Sequence, residues 1–195
     1  MDNAGAVLVL GGTGRTGSRI ARALVDQGVP TRTASRAGSE ARFDWDDPAT
    51  YATVLDGVDR VYLVPPTVRV RFADRVAAFL DIADGAGVRH VTLLSAYGAD
   101  RAPSVIDLAE TERLVTDQDC ITHTVLRPSW VVQNFTDEHL PLVDDALLAP
   151  MLRWLTGTVI DGHGAAPTAD VERVLGRPAT DFTTFARGNT AAWTR

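Results

Sequence analysis

The chain contains no lysine: every one of its 19 basic residues is arginine. Arginine stays protonated at any ordinary pH, so it can hold a charge but cannot pass a proton. A tyrosine acid assisted by a lysine four residues further on therefore cannot be assembled. The nearest substitute, Tyr97 with Arg101, has Gly98 inside it and Pro103 close behind, which predicts a loop. Cysteine is nearly absent as well. The single Cys120 excludes an internal disulfide and any cysteine-based metal cluster, and its place beside an apolar strand marks it as structural. No apolar run approaches the roughly 20 residues needed to span a bilayer. No basic N-terminal region with a small-residue cleavage site is present, so the expectation is a cytoplasmic protein with no membrane partner. A net charge of -6 without a clustered basic surface argues against nucleic acid as a partner. His139 and His163 share no metal-like spacing with acids, so metal binding is not expected. Neither a Gly-x-Ser-x-Gly elbow nor a Ser-His-Asp set can be found.

Glycine, by contrast, is concentrated where it carries meaning. An apolar strand, Ala6-Val7-Leu8-Val9-Leu10, runs directly into Gly11-Gly12-Thr13-Gly14-Arg15-Thr16-Gly17, and an amphipathic stretch follows from Ser18 to Gln27. The spacing reads as G-x-G-x-x-G from Gly12 and as G-x-x-G-x-x-G from Gly11. Glycine permits the tight turn, lets the backbone approach a pyrophosphate, and lets the helix lie close to the strand. The helix N-terminus then faces the anion. Strand before and helix after is the context that a dinucleotide-binding motif requires.

Apolar or β-branched runs at 5 to 10, 29 to 35, 59 to 64, 89 to 95 and 121 to 126 alternate with helical spacing at 15 to 27, 69 to 87 and 104 to 118. That alternation predicts an α/β fold, a doubly wound parallel Rossmann sheet. Asp44-Trp45 is expected to end a further short strand, and Gly85 and Gly87 to close the helix before the fourth run. The pattern changes after Asn134. Residues 1-135 are read as a nucleotide-binding domain and 136-195 as a short helical appendage.

The end of the second strand separates the two nicotinamide cofactors, because an acid there holds a ribose 2′-hydroxyl whereas an arginine accommodates a 2′-phosphate. No acid occurs between Asp26 and Glu40. Ser35 and Arg36 stand at the position in question, and Arg15 in the glycine loop can close over the same group with its planar donors. NADP(H) is favoured over NAD(H).

Taken together, Gly11 to Gly17, Ser35-Arg36, Tyr62-Leu63-Val64-Pro65-Pro66, Leu94-Ser95-Ala96-Tyr97-Gly98, Glu110-Thr111-Glu112, Leu126-Arg127-Pro128-Ser129-Trp130 and Asn134-Phe135 resemble the NmrA-like branch of the atypical short-chain dehydrogenases over residues 5 to 135. That branch includes NADPH-dependent reductases of quinones and related small molecules, and proteins that bind NADP without turning it over. The resemblance implies that Gly11, Thr13, Gly14, Arg15, Thr16 and Gly17 hold the pyrophosphate, Arg36 the 2′-phosphate, and Asp44, with Trp45 beside it, the adenine side. It implies further that Pro65 borders the nicotinamide ribose, that Ser95 falls at the superfamily's catalytic serine, and that Trp130 and Asn134 lead toward the substrate. A basic residue expected three positions before Glu112 is replaced by Ala109. Beyond Phe135 most of the family's substrate lobe is missing, and Asp170-Val171-Glu172-Arg173-Val174-Leu175-Gly176-Arg177-Pro178 resembles the end of bacterial members. A shortened lobe leaves an apolar edge open, so a homodimer or partner complex is expected.

Each candidate also has a plain structural reading. Ser95 is a cofactor-facing hydroxyl or a strand-end cap, and Tyr97 a proton donor or a wall of the pocket. Trp130 is a pocket wall or a core aromatic, and Asn134 a substrate contact or a loop cap. His90 and His123 are structural histidines at strand entrances. Glu110 and Glu112 are solvated helix charges, the latter given weight only by the resemblance. Three functions remain open: an NADPH-dependent reductase of a quinone, enone or similar small molecule; a non-catalytic NADP-binding sensor; and a non-redox isomerase or cyclase on a retained fold.

Overall fold

The computed structural model describes residues 5–66, 69, 71–104, 106–128, 157 and 168–188. The chain divides into two compact units, residues 1–127 and 128–195. In the first unit, the strands β1 (Ala6–Leu10), β2 (Thr31–Ser35), β3 (Ala41–Arg42), β4 (Val58–Leu63), β5 (His90–Leu94) and β6 (Thr122–Leu126) form one sheet. Their order is β3-β2-β1-β4-β5-β6, and every neighbouring pair is parallel. The helices between them are α1 (Gly17–Asp26), α2 (Ala49–Leu55), α3 (Ala73–Gly85) and α4 (Leu108–Thr116), with a 3₁₀ turn at Ala99–Arg101. This is the doubly wound Rossmann arrangement. Strand order reverses between β1 and β4, so the crevice at their carboxyl ends is where such a fold binds its ligand.

A parallel sheet covered on both faces needs strands that are apolar in succession. β1 meets that need with Leu8, Val9 and Leu10, all fully buried, and β4 with Val61, Tyr62 and Leu63. Leu8, Leu10, Val61, Leu63 and Leu93 pack with Val76, Phe79 and Leu80 of α3 into the larger core. Val9 and Tyr62 look the other way and pack with Ala21 of α1. An aromatic group closes one flank: the Phe43 and Trp45 rings meet edge-on at 4.9 Å, and Tyr51 meets Phe79 at 5.6 Å. Offset and edge-on ring pairs add about 0.5–1.5 kcal/mol each beyond their buried area.

Three details differ from the sequence reading. β3 covers only Ala41–Arg42, and Asp44-Trp45 lie beyond it in the turn that enters α2. The turn is held by the Asp44 carboxylate, which accepts the Asp46 amide at 3.1 Å, and by Thr50. α2 itself was not foreseen, because Ala-Thr-Tyr-Ala-Thr-Val-Leu is short and half β-branched or aromatic, a composition of weak helix propensity. Its C-terminal carbonyls are satisfied from outside, by Arg32 Nη1 donating to Val54 O at 3.1 Å and Asp56 O at 2.5 Å. Cys120, finally, is exposed. In the second unit, α5 (Asp170–Leu175) ends at the left-handed Gly176, and α6 covers Phe182–Gly188.

Candidate functional site

The glycine loop forms a cradle that only glycine can build. Gly11 adopts φ +68°, the left-handed region that favours glycine. A Cβ on Gly17 would stand 2.2 Å from the Gly11 carbonyl oxygen, and one on Gly12 would stand 2.7 Å from the Thr33 Cβ. Gly14 donates its amide to the Gly11 carbonyl at 2.8 Å, which closes the turn, and its own carbonyl accepts Ser18 N at 3.0 Å, which opens α1. The Thr16 side chain makes no cap bond to the helix. Burial pushes the Tyr62 pKa up, and the neighbouring Thr16 hydroxyl lowers it in part. Thr13 and Gly14 are exposed at the mouth of the loop, with Arg15 and Thr16 half-buried beside them. A pyrophosphate fits this place on the chain's own geometry, because backbone approaches backbone where a Cβ would otherwise stand.

Ser35 and Arg36 continue β2 on the same carboxyl edge. The Ser35 hydroxyl bonds Ala37 O and the Ser39 hydroxyl, each at 2.7 Å, and so fixes the loop that carries Arg36. Arg36 is exposed and has no ion pair among the described residues, whereas Arg32 of the same strand is committed to α2. Trp45 donates its indole N–H to the Val64 carbonyl at 3.2 Å. That bond ties the turn containing Asp44 to the segment containing Pro65. Asp46 accepts Arg69 at 2.5 Å and Arg75 at 3.1 Å across the same gap.

Beyond β5 the geometry is polar and buried. Ser95 Oγ donates to Glu112 Oε1 at 2.5 Å; Arg127 Nε donates to that same oxygen at 2.9 Å, and Arg127 Nη2 to Glu112 Oε2 at 2.6 Å. Ser95 and Glu112 are 7% and 6% exposed, and the Arg127 side chain is half exposed. Burial pushes the Glu112 carboxyl up, but the bonds from Arg127 and Ser95 outweigh it and hold the group below its ordinary value. Glu112 is therefore not the solvated helix charge that the sequence suggested. Glu110, two residues earlier, is one: it lies exposed and pairs with Arg113. Helical spacing was the available signal, since Leu108, Glu112 and Val115 fall on one face, and an acid on a buried face must be paired.

Tyr97 is half-buried before the left-handed Gly98, and the Arg101 guanidinium stands 5.6 Å from its ring centre. Trp130 and Asn134 lie outside the described residues. His90 bonds Thr122 at 2.8 Å and Thr124 at 3.2 Å, a structural role across two strands. Asp107 was missed altogether. Its carboxylate leaves its own helix to accept Phe72 N at 2.6 Å, Ala73 N at 3.0 Å and Arg71 Nη1 at 3.1 Å, so it caps α3 across a gap of 35 residues. A surface groove of about 550 Å³ beside it, lined by Arg71, Asp107, Glu110 and Arg113 among others, belongs to α3 and α4 and not to the glycine loop. Among the described residues no group of His, Cys, Asp and Glu could hold a metal ion, and no helix is long and apolar enough to cross a membrane.

The fold and the glycine cradle define a doubly wound Rossmann protein with a dinucleotide-type glycine loop. No family model matches the chain. Sequence relatives do: agroclavine dehydrogenase of Claviceps fusiformis is 32% identical over 142 residues, 67% of this chain and 48% of that protein. NAD(P)H azoreductase of Xenophilus azovorans is 31% identical over 142 residues, 66% of this chain and 49% of that protein. A short-chain dehydrogenase/reductase superfamily protein of Agrobacterium tumefaciens, solved with NAD, shares the fold at TM-score 0.54 and 20% identity, over 90% of this chain and 63% of that one. The chain spans about half the length of the curated relatives it matches. In sequence it is similar to dehydrogenases and reductases, and in fold to Rossmann proteins of the short-chain dehydrogenase/reductase superfamily.

Proposed function

We propose that this chain is an NmrA-like protein that binds NADP(H) in preference to NAD(H) and reduces a quinone, enone or similar small molecule. The observation that carries the reading is the cradle at Gly11 to Gly17, in which a Cβ at position 17 would collide with the Gly11 carbonyl. Relatives named as dehydrogenases and as an NAD(P)H azoreductase support the redox part of it. Exposed Arg36, with no acid between Asp26 and Glu40, supports the preference for a 2′-phosphate.

In this reading the loop amides and the α1 N-terminus bind the pyrophosphate. Arg36 orients the adenosine end, Asp44 and Trp45 border the adenine, and Pro65 borders the nicotinamide ribose. Once bound, the reduced nicotinamide supplies a hydride. The protein has little acid to add: no lysine is present, and the Ser95 proton is given to Glu112. Tyr97 or water delivers the proton that completes reduction of a quinone to its hydroquinone. Acceptors of this kind suit the site because they need little acid assistance.

Calorimetric titration with NADPH, NADP, NADH and NAD, followed by absorbance at the reduced-nicotinamide band with a simple quinone added, tests the reading. Tight NADPH binding with oxidation is the expected result. Absence of binding by all four would remove it. A second reading, an NADP-binding sensor that does not turn the cofactor over, is favoured by the commitment of the Ser95 proton to Glu112. Tight binding without oxidation across several acceptors would select it.

A further inference from the structure

Glu112 is a buried carboxylate to which neither the cofactor cradle nor the proton supply gives a task. Its two oxygens are nevertheless both engaged, and by residues that follow two different strands. Ser95 directly follows β5 and Arg127 directly follows β6; Glu112 lies on the helix between them. One carboxylate thus ties together the carboxyl ends of two neighbouring strands, on the edge of the sheet where this fold binds ligands. The backbone adds a parallel link, because Ser95 N donates to Leu126 O at 2.8 Å. Asp100 contributes a further charge near Arg127, so the groups facing Glu112 and its partner are Ser95 after β5, Asp100 in the 3₁₀ turn and Arg127 after β6.

A serine hydroxyl has one proton and two acceptor lone pairs. With its Oγ 2.5 Å from a carboxylate oxygen and its proton directed at that oxygen, Ser95 has no hydrogen left to donate to a ligand. Charge-assisted bonds of this kind, together with a bidentate arginine, are the strong and geometrically specific ones. We propose that Glu112 is a positioning residue: it locks the ends of β5 and β6 into one rigid edge and turns the Ser95 hydroxyl inward, so that Ser95 meets a bound substrate as a hydrogen-bond acceptor and not as an acid. The proposal rests on the reductase reading above and narrows it. A substrate group held against Ser95 has to be a donor, such as an O–H or N–H beside the reacting centre, and the carbonyl that takes up the hydride has to face elsewhere.

The test uses the full chain and its E112Q, S95A and R127K variants, with NADPH as cofactor and 2-amino-1,4-naphthoquinone, which carries an N–H donor beside the reacting ring, as the probe acceptor. NADPH affinity is read by calorimetry, and kcat and KM for the acceptor by cofactor absorbance across pH. E112Q is expected to keep NADPH affinity within roughly twofold, since the cradle lies on β1 and β2, and to lower kcat/KM for the acceptor by roughly tenfold or more, the equivalent of about 1.4 kcal/mol. S95A should lose less than E112Q, with an unshifted pH profile, and the S95A/E112Q double variant should be no worse than E112Q because the two act as one unit. If E112Q fails to fold, R127K, which breaks the bidentate contact from the other side, takes its place. A loss of roughly 100-fold or more in S95A with a displaced pH limb would make Ser95 an acid and overturn the proposal. Unchanged acceptor kinetics in E112Q and R127K would overturn it too, while leaving the reductase reading intact. A wild-type chain that binds no NADPH would take both down, and calorimetry alone reveals that case.

Discussion

Gly17→Ala adds a single methyl group, and the structure says where it has to go. The new Cβ would stand 2.2 Å from the Gly11 oxygen, 2.7 Å from the Gly11 carbonyl carbon and 3.2 Å from the Gly12 Cα. All three are backbone atoms of the loop itself. No flexible side chain can swing aside, so the glycine loop and the first turn of α1 have to separate by about an ångström to restore ordinary contact. Forcing a methyl group into a close-packed site typically costs about 1–3 kcal/mol. For a chain of this size each kcal/mol corresponds to roughly 2–4 °C in melting temperature. The loop that moves is the one whose amides would meet the pyrophosphate, so cofactor affinity should fall together with stability, by roughly tenfold for each 1.4 kcal/mol lost.

Gly85→Ala is the matched control. Gly85 ends α3, is exposed, and has nothing within 4 Å of a built Cβ. Alanine there should leave NADPH affinity unchanged and raise stability by up to about 1 kcal/mol, since glycine is the poorer helix former. Thermal melts of both variants without cofactor, and calorimetric titrations of both with NADPH, separate the two effects. Unchanged melting temperature and unchanged NADPH affinity in Gly17→Ala would refute the reasoning, because the collision would then be relieved without disturbing the cradle. Equal losses in both variants would also refute it, by removing any distinction between the two sites.

Arg36→Ala should weaken NADPH by roughly tenfold or more while moving NADH by less than about twofold, because only NADPH carries the 2′-phosphate; calorimetry with both cofactors decides, and equal losses would show that Arg36 does not read that group. Asp107→Ala removes the cap on Phe72 N and Ala73 N and should cost about 1–2 kcal/mol, seen as a lower urea midpoint; a loss below about 0.5 kcal/mol would mean that water replaces the carboxylate. The Glu112 carboxyl is held below its ordinary value by the bonds from Arg127 and Ser95, which outweigh its burial. Its contribution to stability is therefore complete above the unfolded-state pKa and is lost as pH falls through the lower folded-state value. Wild-type melting temperature should accordingly drop more steeply than that of E112Q on acidification below about pH 4.3, and parallel curves would contradict the assignment.

The parts of this molecule that could be read from the sequence are those whose cause is local. Five apolar runs were foreseen as strands, and five strands occupy those places within two residues at each end. The cradle could be read because strand, glycines and helix follow one another without interruption. What could not be read depends on partners far apart along the chain. Within the helical spacing read over 104 to 118, Asp107 looks like an ordinary first-turn acid, and nothing near it says that its carboxylate caps the start of a different helix. α2 was missed because its propensity is poor and its helix is stabilised from elsewhere, by Arg32 on its terminal carbonyls and by the ring of Tyr51 packed against Phe79. Glu110 and Glu112 show the limit most clearly. They are the same residue two positions apart on one helix, yet one pairs with Arg113 in water and the other is buried between Ser95 and Arg127. Periodicity places Glu112 with Leu108 and Val115 and so requires a partner for it, but only the register of β5 against β6, Leu94 opposite Leu126, brings the serine and the arginine that follow those strands to the same carboxylate.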